Sequence, residues 1–499
     1  MEKTPIIETS SGKIQGYIED DLAIFKGIPY AEPPLGELRF SPPVAKKQWD
    51  GVLEATEFGP YAFQGYTQLE DFTGKLQPES EDCLYLNIWT PSTDNQKRPV
   101  MFWIHGGAFI MGGGADPMYN GSALSKQGNI VVITINYRLG ALGYLYIPNV
   151  TANVGSLDQV LALKWVHDNI ELFGGDPNNI TIFGESAGGY SVVTLAAMPS
   201  AKGLFNRILA QSAPSIDSKI TKKPSQKIMR MLEVAKNDIN ALRRISPENI
   251  IEAQNKLTAE DSTNLLQFRP LIDGDTIPIH PLKAFQNGDC KDIEFMIGTN
   301  LDESKLFTVL NPELSKMDNL NSEKLLVGFL GRLGIDLTKS KMIIETYKQA
   351  RNGKFSTEPK EILDALITDL TFRISTIHLL EAQSKHQSKT YNYIFTWPSP
   401  GFNGVLGACH AIELPFVFNT LTNPSFKAFV GNDSDQKLIC NNVMDAWIAF
   451  ARTGNPNHEG IPDWPSYDVE KRSTMLINKE FKVAEKFQDR ERAAWSDTT

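Results

Sequence analysis

The chain has few cysteines, no long apolar run and no excess of basic charge, and each lack removes a class of protein. Cys83, Cys290, Cys409 and Cys440 are its only cysteines in 499 residues. They lie far apart and form no Cys-x-x-Cys pair, so neither a zinc site nor a disulfide framework is expected, and free thiols are the default. No stretch approaches the roughly eighteen apolar residues that span a bilayer, which argues against a membrane partner. The N-terminus, MEKTPIIETSSGKIQG, lacks the apolar segment of a signal peptide, so a cytoplasmic protein is expected. The sequons at Asn120-Gly-Ser and Asn149-Val-Thr carry no weight outside a secretory pathway. With 49 Lys and Arg against 59 Asp and Glu, the net charge is −10. Clustered cations are what neutralise phosphates, so no nucleic-acid partner is expected. Also missing are a Ser/Gly linker, a charge block and an internal repeat.

What is present suits a large soluble fold. A composition of 41% hydrophobic and 22% charged residues can bury a sizeable core. The reading is one α/β domain over residues 1–499, with helical insertions at about 219–260 and 305–385. Val100–Ile104, Ile130–Asn136 and Ile180–Phe183 read as buried strands. Leu157–Phe173 carries apolar residues close to helical spacing. Strands alternating with helices predict a parallel sheet. Further strands are expected at Ile293–Ile297 and Thr390–Phe395, and an amphipathic helix at Asn441–Thr453.

One segment stands out chemically. Phe183-Gly-Glu-Ser-Ala-Gly-Gly189 contains a Gly-x-Ser-x-Gly between the β-branched Ile180-Thr-Ile182 and the helix-like Tyr190–Met198. That setting, strand then sharp turn then helix, lifts a serine hydroxyl above the C-terminal edge of a sheet. Ser186 is the candidate nucleophile. A serine needs a base, normally a histidine oriented by a carboxylate. In folds with this elbow the order along the chain is nucleophile, acid, histidine, which removes His105 and His167. The loop after Ile293–Ile297 offers Asp302 and Glu303 as acids, whereas Asp273-Gly-Asp275 reads as a turn. Of the later histidines, His378 and His386 lie in a polar helical stretch and His458 in a turn. His410 instead ends the Gly-rich segment 401–408, from which an imidazole can reach over a sheet edge. Acyl transfer also needs amide donors for a developing oxyanion. The run Trp103-Ile-His-Gly-Gly-Ala-Phe109 supplies them after a strand, with the amide of Ala187 beside the serine. Gly112-Gly-Gly114 reads as a turn, because it lacks the Gly-Lys-Ser/Thr ending of a phosphate loop.

With these residues in view, the chain resembles the type-B carboxylesterases, the carboxylesterase and cholinesterase branch of the α/β-hydrolases, and most of all the bacterial para-nitrobenzyl esterases. The resemblance runs through Phe25-Lys-Gly-Ile-Pro-Tyr-Ala-Glu-Pro-Pro-Leu-Gly-Glu-Leu-Arg-Phe40, Ser80-Glu-Asp-Cys-Leu-Tyr-Leu-Asn87, Asn136-Tyr-Arg-Leu-Gly140, Phe173-Gly-Gly-Asp-Pro177, the serine elbow and Thr453-Gly-Asn-Pro456. It implies an α/β-hydrolase fold and a serine carboxylesterase for a small-molecule ester. The implied site is Ser186, Glu303 as acid and His410 as base, with the amides of Gly107, Ala108 and Ala187 as the oxyanion hole. Neither a metal nor an organic cofactor is implied, and a monomer or small homo-oligomer is expected. Arg39 with Glu81, and Arg138 with Asp158, match the family's structural ion pairs. Three departures matter. Ser304 stands where the family has glycine after its Asp-Glu pair. Residues 59–64 lack the cysteine that many relatives pair with the one in Glu-Asp-Cys. Loop 65–79 has only Tyr66 and Phe72 as aromatics, so it lacks the tryptophan that holds choline in cholinesterases. The same loop is too polar for a lipase lid, and short-chain neutral esters are the expected substrates. Phe109, Leu266, Phe268, Phe307, Leu310 and Phe372 are the pocket candidates by position.

Overall fold

The computed structural model describes residues 2–65, 77–215, 223–235, 237–260, 266–310 and 319–496. Within these, nine strands form the body of a large sheet: β1 Leu22–Pro29, β2 Tyr85–Thr90, β3 Arg98–Ile104, β4 Val131–Ile135, β5 Gly175–Glu185, β6 Arg207–Gln211, β7 Glu294–Asn300, β8 Thr390–Phe395 and β9 Thr474–Ile477. Their order is β1-β2-β4-β3-β5-β6-β7-β8-β9. The pairs β1/β2 and β2/β4 are antiparallel, and every neighbour from β4 to β9 is parallel. Short antiparallel strands extend both edges to twelve in all.

The apolar runs that read as buried strands are continuous because both faces of the sheet are covered. All seven residues of β3 are buried. Val100, Phe102 and Ile104 point into one core, Met101 and Trp103 into the other. Helices Val154–Asn169, Ala187–Leu195 and Ile374–Gln383 cover the first face, and Gln436–Thr453 covers the second. The mostly parallel sheet expected from the sequence is therefore present.

Element boundaries differ from the sequence reading where tertiary partners decide them. The helix expected over Leu157–Phe173 starts at Val154 and tightens to a 3-10 turn at Ile170–Phe173. Its start is set by Asn153, left-handed at φ 58°, whose side-chain amide pairs with Leu271 and Thr276. The helix after Ser186 begins at Ala187, not Tyr190, and ends at Leu195. The last long helix starts at Gln436, five residues before the amphipathic pattern becomes clear. Residues 219–260 hold helices Lys223–Met231, Ile239–Arg244 and Pro247–Glu260, the stretch before Lys223 lying outside the described residues. From Asn319 onward, helices Asn319–Arg332, Leu337–Arg351 and Pro359–Thr368 pack on a core of their own around Leu330, Ile343, Tyr347 and Leu366. The readings made on loop 65–79, with Tyr66 and Phe72, fall on residues 66–76 and so lie outside the described residues.

Candidate active site

The parallel strands deliver all the candidate residues to one edge. Ser186 follows β5, Glu303 follows β7, His410 lies in the connection after β8, and the Gly106–Ala108 turn follows β3. Ser186 has φ 57° and ψ −120°, a conformation that costs a non-glycine residue about 1–3 kcal/mol. The surroundings hold it there. Its N–H donates to the Gln211 carbonyl of β6 at 2.9 Å, and its own carbonyl accepts from Tyr190 N–H at 2.8 Å. The flanking glycines are required by close approach. A Cβ on Gly184 would stand 2.6 Å from both the Gly188 carbon and the Ile104 carbonyl oxygen, and one on Gly188 would overlap that same oxygen.

Glu303 and His410 meet directly. Glu303 Oε2 lies 2.6 Å from His410 Nδ1, while Oε1 accepts the Asn300 N–H at 2.7 Å. Asn300 also donates through its side chain to the Cys409 carbonyl at 2.8 Å and to Glu413 at 2.7 Å, tying the acid's loop to the histidine's. On the other side of the ring, Nε2 lies 3.0 Å from Oε1 of Glu185, the residue before Ser186. Burial opposes a charged imidazole, but the Glu185 and Glu303 carboxylates outweigh it and hold His410 well above the ordinary histidine range. Burial raises Glu185 in turn, and the imidazole offsets part of that rise. Glu413, fully buried, is pushed up to about 7 by burial and by the charges of Glu185 and Glu303. Asp302, the neighbouring carboxylate, faces elsewhere: it accepts the Ala408 N–H at 3.0 Å.

The turn after β3 packs against the serine elbow. A Cβ on Gly106 would stand 3.2 Å from Ser186 Cβ, so the turn and the elbow touch. Gly107, Ala108 and Phe109 all have positive φ, at 104°, 52° and 62°. Among the described residues, the amides of Gly107 and Ala108 donate to no acceptor, and that of Ala187 is an unpaired donor of a helix's first turn. His105, stacked on Tyr137 with ring centroids 4.5 Å apart, is pushed down to about 4 by burial and so stays neutral. Its Nδ1 donates to the Gly106 carbonyl at 2.8 Å.

Known proteins resemble this chain over nearly its full length. The profile of the carboxylesterase family matches residues 3–495. The chain belongs to the carboxylesterase family. It is therefore a carboxylic ester hydrolase. The para-nitrobenzyl esterase of Bacillus subtilis (strain 168) is 36% identical over 488 residues, covering 96% of each chain. The phenmedipham hydrolase of Pseudarthrobacter oxydans is 36% identical over 491 residues, again 96% of both. Among solved structures, a thermophilic para-nitrobenzyl esterase superposes with a TM-score of 0.86 at 35% identity, over 98% of this chain and 99% of the other. The fold is that of the α/β-hydrolases.

In this carboxylesterase the six pocket candidates separate by place. Phe307 and Phe372 lie against the His410 ring, with centroids 5.2 and 4.9 Å away. Phe372 is carried there by a π-helical turn, Asp369–Arg373, between two α-helices. Phe109 is fully buried between Tyr144 and Tyr190, Phe268 is buried in the same core, and Leu266 packs partly buried against it. The Leu310 side chain lies outside the described residues. Sequence reasoning missed Glu185 and Glu413. Glu185 occupies the variable position of the serine motif, so only its place beside the nucleophile could have flagged it. Glu413 follows His410 by three residues, a spacing with no signature of its own. The Arg39–Glu81 and Arg138–Asp158 ion pairs are both formed, the second bidentate at 2.7 and 2.8 Å.

Proposed function

We propose that the enzyme hydrolyses short-chain, uncharged carboxylic esters through an acyl-enzyme on Ser186. His410 removes the Ser186 proton as the hydroxyl attacks the ester carbonyl. Glu303 orients the imidazole through Nδ1 and stabilises its cation, and the amides of Gly107, Ala108 and Ala187 hold the oxyanion. His410 then protonates the departing alcohol, and water releases the acid by the same steps in reverse. The reading rests on one observation above the rest: an imidazole fixed through Nδ1 to a buried glutamate, with Nε2 turned to the residue beside the strained serine. Phe307 and Phe372, close on the imidazole, favour a small acyl group. The buried carboxylates Glu185, Glu303 and Glu413 disfavour a negatively charged one. The helices within 219–260 and 305–385 are read as a cap inserted into a single domain, and the four unpaired cysteines fit a reducing, cytoplasmic setting. The test is hydrolysis of para-nitrophenyl esters from acetate to palmitate. Activity peaking at short chains and falling about 10⁴-fold or more in Ser186→Ala is expected. A peak at long chains would contradict the substrate reading, and activity surviving in the variant would contradict the nucleophile.

A further inference from the structure

The two amides of the turn that we read as oxyanion donors are aimed through their carbonyl partners. In a trans peptide the N–H points opposite to the C=O of the same plane. The plane carrying the Ala108 N–H contains the Gly107 carbonyl, which accepts from Ile110 and Met111 at 3.0 and 3.1 Å. The plane carrying the Gly107 N–H contains the Gly106 carbonyl, which accepts from His105 Nδ1 at 2.8 Å. Both planes are thus pinned from behind. What closes the turn is Gly112, with φ 103°: a Cβ there would stand 2.7 Å from His105 Nδ1 and 2.9 Å from the Gly106 oxygen, so its backbone packs directly on the second pin.

Gly112 is itself held by one distant side chain. Gln64 Oε1 accepts the Gly112 N–H at 2.7 Å, and Gln64 Nε2 donates to the Gly112 carbonyl at 3.0 Å and to Ala62 at 3.1 Å. The amide therefore pairs with both polar groups of Gly112 across 48 residues of sequence. Gln64 is 8% exposed, so water competes poorly for these bonds. No disulfide could serve instead, since all four cysteines are free. Among the described residues, the Gln64 side chain bonds to Ala62 and Gly112 and to none of the reacting groups.

We infer that Gln64 is a positioning residue for transition-state stabilisation: its amide clamps Gly112 and, through His105 and the Gly106 carbonyl, fixes the direction of the Gly107 and Ala108 N–H groups. The inference rests on the oxyanion-hole reading above. An interaction of this kind acts on the tetrahedral species and not on the bound ester, so kcat should fall while KM holds.

The experiment compares wild type, Gln64→Leu and Gln64→Glu on para-nitrophenyl butyrate. It also measures the affinity of each for a trifluoromethyl ketone, which adds to the serine and forms an oxyanion, against its methyl ketone counterpart, with thermal melting as the folding control. Gln64→Leu is expected to lower kcat about 10–100-fold with KM within about twofold, and to lower the ketone selectivity by a similar factor. Gln64→Glu, which can accept from Gly112 but not donate to it, should fall between. If folded Gln64→Leu keeps both kcat and ketone selectivity, the inference is overturned. Should Gln64→Leu not fold, Gln64→Glu decides in the same way. A wild type that shows no preference for the trifluoromethyl ketone would instead overturn the oxyanion-hole reading itself, a failure that the Gln64 variants cannot mimic.

Discussion

At the scale of single residues, the placing of His410 between two carboxylates has a consequence for pH. As the proposed base, His410 must be neutral to act, and Glu185 and Glu303 together favour its proton. The acid limb of kcat/KM is therefore expected above the ordinary histidine value of about 6.5, with activity rising as pH rises through it. Glu185→Gln removes one of the two charges, so its pH–rate profile should move its acid limb to lower pH. An unmoved limb would mean that Glu185 does not act on the imidazole. Glu303→Gln should lower kcat by about 10³–10⁴-fold with the fold intact, as read by steady-state kinetics and circular dichroism. The elbow serine was legible because its motif is local: both glycines and the strand before it are contiguous in sequence. Which of Asp302 and Glu303 faces the imidazole was not legible from residue type. The two are adjacent and chemically alike, and the turn that sends one to Ala408 and the other to His410 is built by partners more than a hundred residues away.

At the scale of elements, the loop that follows β7 is tied to the helix Pro359–Thr368 through Ser304. Ser304 Oγ donates to the Asp364 side chain and carbonyl at 3.0 and 2.8 Å, and Ser304 N–H donates to Thr368 Oγ1 at 3.2 Å. Thr308 adds a bond to the same carboxylate at 2.8 Å. Burial lifts the Asp364 pKa, and the hydroxyls of Thr308 and Ser304 draw it back. Ser304→Ala strips one of these donors from a buried carboxyl group and should cost about 1–2 kcal/mol, measured as a lowered midpoint in urea unfolding. No change in midpoint would show that the tie contributes nothing. Five strands of the central sheet, β3, β4, β5, β7 and β8, were readable because burial on both faces leaves β-branched and aromatic runs, whereas β1, β2, β6 and β9 were not singled out. Helix ends were less so. Asn153, which starts the helix before β5, is placed by Leu271 and Thr276, and the π-helical turn at Asp369–Arg373 has no sequence signature, although it brings Phe372 to the imidazole.

At the scale of the whole molecule, nothing covalent crosslinks the described residues. All four cysteines are buried and unpaired, and burial raises the thiols of Cys83, Cys290, Cys409 and Cys440. Millimolar dithiothreitol should therefore leave both melting temperature and esterase activity unchanged, and a marked loss of either would mean that a disulfide supports the fold. No helix among the described residues is long and apolar enough to cross a membrane. In the proposed mechanism one serine out of the whole chain, Ser186, carries the acyl group. That assignment is tested most directly by treating the native enzyme with diethyl para-nitrophenyl phosphate, weighing the intact protein and mapping the modified peptide. One diethylphosphoryl group per chain, located on Ser186 and formed in step with loss of activity, is the predicted result. Full inactivation with the label on another residue, or full labelling of Ser186 with activity retained, would contradict it.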